Sequence, residues 1–162
     1  MGKSSLAQLM LKDHAIPYVS TDGLTVMLKP VGQPSFYSPR KSDKFFPYLE
    51  LFISRIVKTA PDYIIEGDAF SPKHVKDLQN KYDIKCVFLT MSSVDPRTVV
   101  SNAKYDKWTD EATAEQLDDL CSRIVKASKE LNSMCVKENI PCIDLAYDYD
   151  KQFREAYSKL VD

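Results

Sequence analysis

Long apolar runs are absent from this sequence: none approaches the ~18 residues of a membrane-spanning helix, and the N-terminus has no signal-peptide segment. A surplus of one charge is absent too, since 22 basic residues face 23 acidic ones. Neither a nucleic acid nor a membrane surface is therefore expected as a partner. The four cysteines form no C-x-x-C pair, which favours buried free thiols over a disulfide or zinc site. We expect a cytoplasmic protein with a small ligand.

The residues that are present predict one α/β domain. The chain has 162 residues and is 44% hydrophobic, which is enough for a single domain spanning residues 1–162. Four short apolar runs predict buried strands: AIPYVS, DYIIEGD, IKCVFLT and CIDLAY. Helical patterns precede, separate and follow them. This alternation is typical of a parallel sheet with helices on both faces, a three-layer αβα arrangement.

Helical spacing of apolar residues fixes where the helices are expected. The predicted helices cover residues 3–12, 24–29, 48–59, 72–82, a segment starting at Asp95-Pro96, a long stretch from about Leu117 to Cys135, and the C-terminus. Residues 30–47 carry four prolines and are predicted to form a long loop. His14 and His74 have no partner pattern, and both are expected at the surface.

The N-terminal segment Gly2-Lys3-Ser4-Ser5 stands directly before the first predicted helix. Gly-Lys-Ser is the second half of the phosphate-binding motif G-x-x-x-x-G-K-[ST], which a strand precedes and a helix follows. The glycine-rich first half is not present in the chain. The tripeptide taken alone also fits an ordinary capped helix, so the rest of the sequence has to decide between the two.

Five segments, in order, resemble the small P-loop kinases of the adenylate kinase, gluconate kinase and shikimate kinase type. They are GKSSLAQLM, YVSTDGL, YIIEGDAF, DPRTVVSNAKYDKW and CIDLAYD, and they span nearly the whole chain. The resemblance implies a phosphotransferase that uses ATP or GTP with Mg²⁺ and acts on a small-molecule acceptor. It also implies an N-terminal truncation, because a first strand and the glycine-rich half-loop precede G-K-S in this family. That strand would fill a slot between DYIIEGD and IKCVFLT.

The same resemblance assigns the nucleotide site to Gly2, Lys3, Ser4 and Ser5. Their backbone N–H groups would point at phosphate from a helix N-terminus. Lys3 would reach the β- and γ-phosphates as a catalytic residue, and Ser4 would hold Mg²⁺.

Three carboxylates follow predicted strands. Asp22 would bind the acceptor and take the proton of its hydroxyl, although it could equally be the N-cap of the helix over residues 24–29. Glu66 and Asp68 flank a glycine and would face the acceptor, with Glu66 also a metal ligand through water. Solvated turn carboxylates are the alternative for these two residues.

Basic residues complete the implied site. Arg40 lies in the predicted acceptor-binding loop, residues 30–47, while Arg97 lies in a predicted lid, residues 95–110, and Arg123 follows one helix later. Arg97 and Arg123 would stabilise charge on the transferred phosphoryl group. A solvated surface role is the alternative for each basic residue.

Two functions from other classes stay open on the sequence alone. One is a nucleotide-binding or regulatory domain without turnover, and the other is an incomplete fragment with neither activity. The acceptor is not identified by the loop residues, and the oligomeric state is not predicted.

Overall fold

The structure is a computed structural model that describes residues 2–28, 42–102 and 112–161. These residues form two compact units, residues 2–85 and residues 86–161, called here the first and second units. Helices and strands alternate in both units, and the strands pair in parallel. The prediction of an α/β protein with parallel strand pairing is confirmed.

Six helices and strands make up the described part of the first unit. They are α1 (Lys3–His14), β1 (Tyr18–Ser20), α2 (Thr21–Leu28), α3 (Ser42–Thr59), β2 (Ile64–Glu66) and α4 (Pro72–Gln79). Strands β1 and β2 form a two-stranded sheet in which Ser20 lies opposite Glu66. Both strands therefore end at the same edge of the sheet, as parallel pairing requires.

The core of the first unit comes from helix faces with i, i+4 spacing. Helix α1 buries Leu6 and Met10, and α3 buries Phe45, Leu49 and Ile53. Phe45 and Leu49 are 1% and 0% exposed, and they pack in one cluster with an alanine that follows β2. Burial of such side chains contributes about 1.5–3 kcal/mol each.

The start of α3 corrects the predicted boundary of the long loop. The prolines favoured an irregular segment through residue 47, but residues 42–47 belong to the helix, and Pro47 lies inside it. Phe45 extends the buried face of α3 by one turn beyond Leu49, and this burial offsets the backbone hydrogen bond that Pro47 cannot donate.

The prediction that His74 lies at the surface is wrong. His74 is 5% exposed and is the third residue of α4, where its backbone N–H donates to the Ser71 hydroxyl at 3.2 Å. Its Nδ1 accepts from the Ser71 N–H at 3.5 Å, and its Nε2 lies 2.8 Å from the Asp43 carboxylate. A stacked contact with Phe46, with ring centroids 4.1 Å apart, completes its burial. Three residues, Ser71, Asp43 and Phe46, therefore contact a side chain for which the sequence suggested no partner.

Five helices and strands make up the described part of the second unit. They are β3 (Phe88–Thr90), α5 (Pro96–Asn102), α6 (Ala114–Glu138), β4 (Cys142–Asp144) and α7 (Tyr149–Val161). In the sheet of β3 and β4, Thr90 lies opposite Asp144. Each of the four strands has three residues, fewer than the apolar runs that predicted them, but each lies inside its predicted run.

Local sequence sets the ends of α6. At its start, the Thr113 hydroxyl accepts from the Gln116 N–H while the Gln116 side chain accepts from the Thr113 N–H, a capping box. At its end, Asn139 takes the left-handed conformation with φ 54°. The four cysteines are free thiols; Cys121 and Cys135 are buried, as expected, and Cys86 and Cys142 are half-buried.

Some expectations lie outside the described residues. Arg40 lies in residues 29–41, and the second half of the predicted lid lies in residues 103–111. The three-layer arrangement and the additional strand between DYIIEGD and IKCVFLT stay predictions. In the ranges that the structure describes, no helix combines the length and apolar character needed to cross a membrane.

Candidate active site

The N-terminus of α1 presents backbone donors next to the Gly-Lys-Ser residues. Gly2 has φ 87°, a conformation that favours glycine, and its carbonyl accepts the first intrahelical hydrogen bond, from the Leu6 N–H at 2.9 Å. The N–H groups of Lys3, Ser4 and Ser5 precede that bond and so have no carbonyl within the helix to bind. No acidic residue lies in this first turn, so the helix dipole favours an anion there.

Lys3 forms an ion pair with Asp68 across 65 positions of sequence. Its Nζ lies 2.7 Å from the Asp68 carboxylate, and the two side chains are 33% and 84% exposed. Partial loss of hydration beside neighbouring protein atoms would raise the pKa of Asp68, but the Lys3 ammonium and its hydrogen bond outweigh that effect and hold the pKa below its usual range. The exposed pair is accessible to solvent, and an incoming anion can compete with Asp68 for the ammonium.

Ser4 contacts the second strand-end carboxylate. Its hydroxyl donates to the Glu66 carboxylate at 3.3 Å. A hydroxyl and a carboxylate oxygen at this distance are both ligands that Mg²⁺ accepts. Among the described residues, no three histidine, cysteine, aspartate or glutamate side chains converge as a metal site. The pair fits a Mg²⁺ ion that takes its other ligands from phosphate and water, as this ion usually does.

Asp22 shares this edge of the sheet as the second residue of α2. Partial burial, followed by the negative charge of Asp68, raises the pKa of Asp22 above its usual value, and the Lys3 charge opposes the rise. The three charged groups of Lys3, Asp22 and Asp68 therefore lie close enough to interact. A carboxylate with a raised pKa is better suited to accept a proton than an ordinary aspartate.

The N-cap alternative for Asp22 is not what the structure contains. Helix α2 begins at Thr21, and the Ser20 hydroxyl accepts the Asp22 N–H at 3.3 Å, so Ser20 is the capping side chain. The Asp22 carbonyl accepts from the Thr25 hydroxyl at 2.8 Å. Ser20 was missed by sequence reasoning, although a serine directly before a helix is the usual signal for a cap.

The two described arginines of the implied site each pair on their own segment of the second unit. Arg97 is 91% exposed and binds Asp95, with its NH2 group 2.9 Å from one carboxylate oxygen. Arg123 lies 3.0 Å from Asp119, four residues earlier on α6. Neither contact brings an arginine to a strand end. In this structure both arginines therefore have the contacts expected of solvated surface residues.

Sequence reasoning also missed a pair of hydrogen bonds to Asp144 at the ends of β3 and β4, called here the polar tie. Asp144 accepts from the Ser92 N–H at 3.0 Å and from the Ala146 N–H at 3.1 Å, joining the segments that follow the two strands. Burial would raise the pKa of Asp144, but these hydrogen bonds hold it below its usual value. Next to the tie lies a cavity of about 410 Å³. Its lining includes Met91, Leu145 and Tyr149. The available sequence signal was Asp144 itself, an acidic residue directly after the apolar pair Cys142-Ile143 in CIDLAY.

Comparison with known proteins shows a similarity of fold. No protein-family model and no curated protein matches the sequence. A solved structure similar to this chain is a gluconokinase from Sinorhizobium meliloti 1021, with a TM-score of 0.56 and 16% sequence identity. The similarity covers 99% of this chain and 85% of the gluconokinase. The chain is therefore similar in fold to a kinase over almost its entire length.

Proposed function

We propose that this protein is a phosphotransferase that uses ATP or GTP with Mg²⁺ and transfers phosphate to a small-molecule acceptor. The observation that carries the proposal is the meeting of Gly2-Lys3-Ser4 with two strand-end carboxylates. The Lys3 Nζ lies 2.7 Å from the Asp68 carboxylate, and the Ser4 hydroxyl lies 3.3 Å from the Glu66 carboxylate. A lysine, a hydroxyl and free N–H groups at a helix N-terminus form an anion site, and an adjacent carboxylate suits the accompanying metal.

Each residue of this cluster has a role in the proposal. Lys3 and the N–H groups of Gly2 to Ser5 bind the β- and γ-phosphates, and Ser4 and Glu66 hold Mg²⁺, which neutralises phosphate charge when bound. Asp22 accepts the proton of the acceptor hydroxyl, for which its raised pKa is suited. Asp68 orients the Lys3 ammonium until phosphate replaces it, and then contacts the acceptor. Catalysis consists of positioning and charge stabilisation.

Three arginines would complete the site. Arg97 and Arg123 would leave their local partners, Asp95 and Asp119, to stabilise the transferred phosphoryl group. Both are exposed, so exchanging one carboxylate for a phosphate costs little. Arg40 would bind the acceptor.

The acceptor, the compartment and the complete phosphate loop are proposals as well. A sugar acid is the first acceptor to test, since the similar solved structure is a gluconokinase. We propose a cytoplasmic location. The additional strand and glycine-rich half-loop ahead of Gly2 are predicted by the family resemblance. Reading the codons upstream of Met1 tests that prediction, because an in-frame apolar segment ending in glycine is expected there.

Coupled release of ADP or GDP tests the proposed function directly. The wild-type chain is mixed with Mg²⁺ and either nucleotide, with gluconate, shikimate, a nucleoside or phosphoglycerate as acceptor. We expect release that depends on one acceptor and stops when Mg²⁺ is chelated. The matched control is the same mixture without acceptor.

The other two candidate functions give different results in the same experiment. Nucleotide binding without acceptor-dependent release across a broad acceptor panel would leave a binding or regulatory domain. Absence of both binding and release would favour the inactive fragment, and restoration of both by an N-terminal extension with the proposed strand and half-loop would support that proposal.

A further inference from the structure

Gly67 lies at a position where no side chain fits. It separates Glu66 from Asp68 and has φ 141°, in a region that residues with a side chain rarely adopt. A Cβ atom built on Gly67 would lie 1.8 Å from Oγ1 of Thr21 and 2.9 Å from its Cβ. Both distances are below any normal contact, so the space between position 67 and the first residue of α2 has no room for a side chain.

Thr21 is fixed on the other side of this contact. It is 0% exposed, and its Oγ1 has no hydrogen-bond partner among the described residues. Because the built Cβ of Gly67 lies only 1.8 Å from Oγ1, this oxygen occupies the space next to the Cα of Gly67, an arrangement that resembles the weak Cα–H···O contacts between strands. A buried hydroxyl without an ordinary partner is rare and calls for an explanation.

The contact joins the two segments that carry the acidic residues of the candidate site. Asp22 follows Thr21 directly, and Glu66 and Asp68 flank Gly67. One residue earlier, Ser20 and Glu66 are paired in the sheet. The sheet fixes the strands only up to these residues, so the Thr21–Gly67 contact sets how far apart the segments stand after the sheet ends.

We propose that Thr21 and Gly67 are positioning residues that hold the Asp22 carboxylate at a fixed distance from Glu66 and Asp68. This inference rests on the proposed function, because the distance matters only if acceptor, metal and phosphate meet between these carboxylates. Any side chain at position 67 separates the two segments. A displacement of about 1 Å in such a site lowers turnover by about 100-fold.

The chain provides a matched control in Gly23. It lies in α2, next to Asp22, and a Cβ built there meets no atom within 4 Å. Gly67→Ala and Gly23→Ala therefore make the same chemical change, and each changed residue is next to a carboxylate of the site. Only Gly67→Ala creates a steric conflict. Gly23→Ala is expected to keep turnover within about twofold of wild type, since alanine favours a helix.

The test combines turnover with a contact measurement that needs no ligand. For Gly67→Ala we expect kcat to fall about 100-fold, while Kd for ATP without Mg²⁺ changes less than about threefold, because Lys3 and the N–H groups of the α1 N-terminus are unaltered. Nuclear magnetic resonance of the free protein should show an Overhauser effect between the Thr21 β-proton and the Gly67 α-protons. Gly67→Ala should also shift the amide resonance of Asp22, 45 positions away in sequence.

Variants of Thr21 keep the inference testable if Gly67→Ala fails to fold. Thr21→Val places a methyl group where the oxygen lies and should lower kcat about tenfold, and Thr21→Ser, which retains the oxygen, should recover most of that loss. An unchanged kcat in Gly67→Ala, or a missing Overhauser effect, would overturn the inference while the proposed function stands. A wild-type protein without turnover would overturn both.

Discussion

The residues of the implied site are paired differently in the two units. In the first unit, Lys3 and Ser4 bind carboxylates 65 and 62 positions away, at the end of β2. In the second unit, Arg97 and Arg123 bind aspartates only two and four residues away. Local pairs of exposed charges contribute little and occur on most helices. Charges that the fold collects from distant segments are the better indication of a site.

The largest effect on turnover is expected from a change of Asp22, and its absence would contradict the comparison of the two units. Asp22→Asn should lower acceptor-dependent turnover by about 100-fold or more, because the variant cannot take a proton from the acceptor. The wild-type rate should fall as the pH decreases through the pKa of Asp22, which lies above the usual aspartate value. Steady-state kinetics between pH 4 and pH 8 measure both. Asp62→Asn, a change of an exposed aspartate before β2, is the control. A rate that Asp22→Asn leaves intact would remove the residue from the mechanism.

The polar tie of the second unit should affect stability rather than chemistry. Asp144→Ala leaves the N–H groups of Ser92 and Ala146 without their acceptor, and we expect a loss of about 2 kcal/mol in the free energy of unfolding. The lowered pKa of Asp144 stabilises the fold at pH values above the ordinary aspartate pKa of ~3.9. That contribution is lost as the pH falls through the lowered pKa.

Urea unfolding at pH 7 and at pH 3 measures this prediction. The difference between wild type and Asp144→Ala should shrink at the lower pH. Asp119→Ala, which removes an exposed carboxylate from the same unit, is the control and should change stability by about 0.5 kcal/mol or less. Equal losses in the two variants would show that Asp144 is an ordinary surface residue.

The smallest effect on stability is expected from Arg123, and its kinetics can sharpen the comparison of the two units. Arg123→Ala should change the free energy of unfolding by about 0.5 kcal/mol or less, since its i, i+4 pair with Asp119 is exposed. A role in phosphoryl transfer would instead appear in kcat, as a loss of about tenfold or more. Urea unfolding and steady-state kinetics on the same preparation separate the two roles. An unchanged kcat would leave Arg123 as a surface residue.

The sequence predicted what depends on neighbouring residues. Apolar spacing, together with the start signals Ser71-Pro72 and Asp95-Pro96, predicted a helix at the place of each described helix, and Ser71-Pro72 correctly marked the start of α4. The start of α3 was missed because Pro47 suggested a break, while the burial of Phe45, which outweighs it, depends on packing against residues after β2. His74 was misplaced because its partner Asp43 lies 31 positions away.

The candidate site shows the same limit. That Lys3, Ser4, Asp22, Glu66 and Asp68 would gather followed from the direction of parallel strands and from the family resemblance. The sequence did not predict which carboxylate Lys3 or Ser4 would contact. The two residues bind different carboxylates at the end of β2. The close approach of Thr21 to Gly67 is likewise invisible in sequence, since a glycine after a strand has many possible reasons.

Titration of Mg²⁺-ATP into three forms of the protein tests the central claim that the α1 N-terminus is a phosphate site. The forms are wild type, Lys3→Ala and Lys12→Ala, whose lysine lies exposed in the last turn of the same helix. Calorimetry should show binding to wild type, a Kd within about twofold for Lys12→Ala, and binding weakened about tenfold or more for Lys3→Ala, which loses a charge-assisted contact to phosphate. Equal affinities for wild type and Lys3→Ala, or no binding to wild type, would contradict the account.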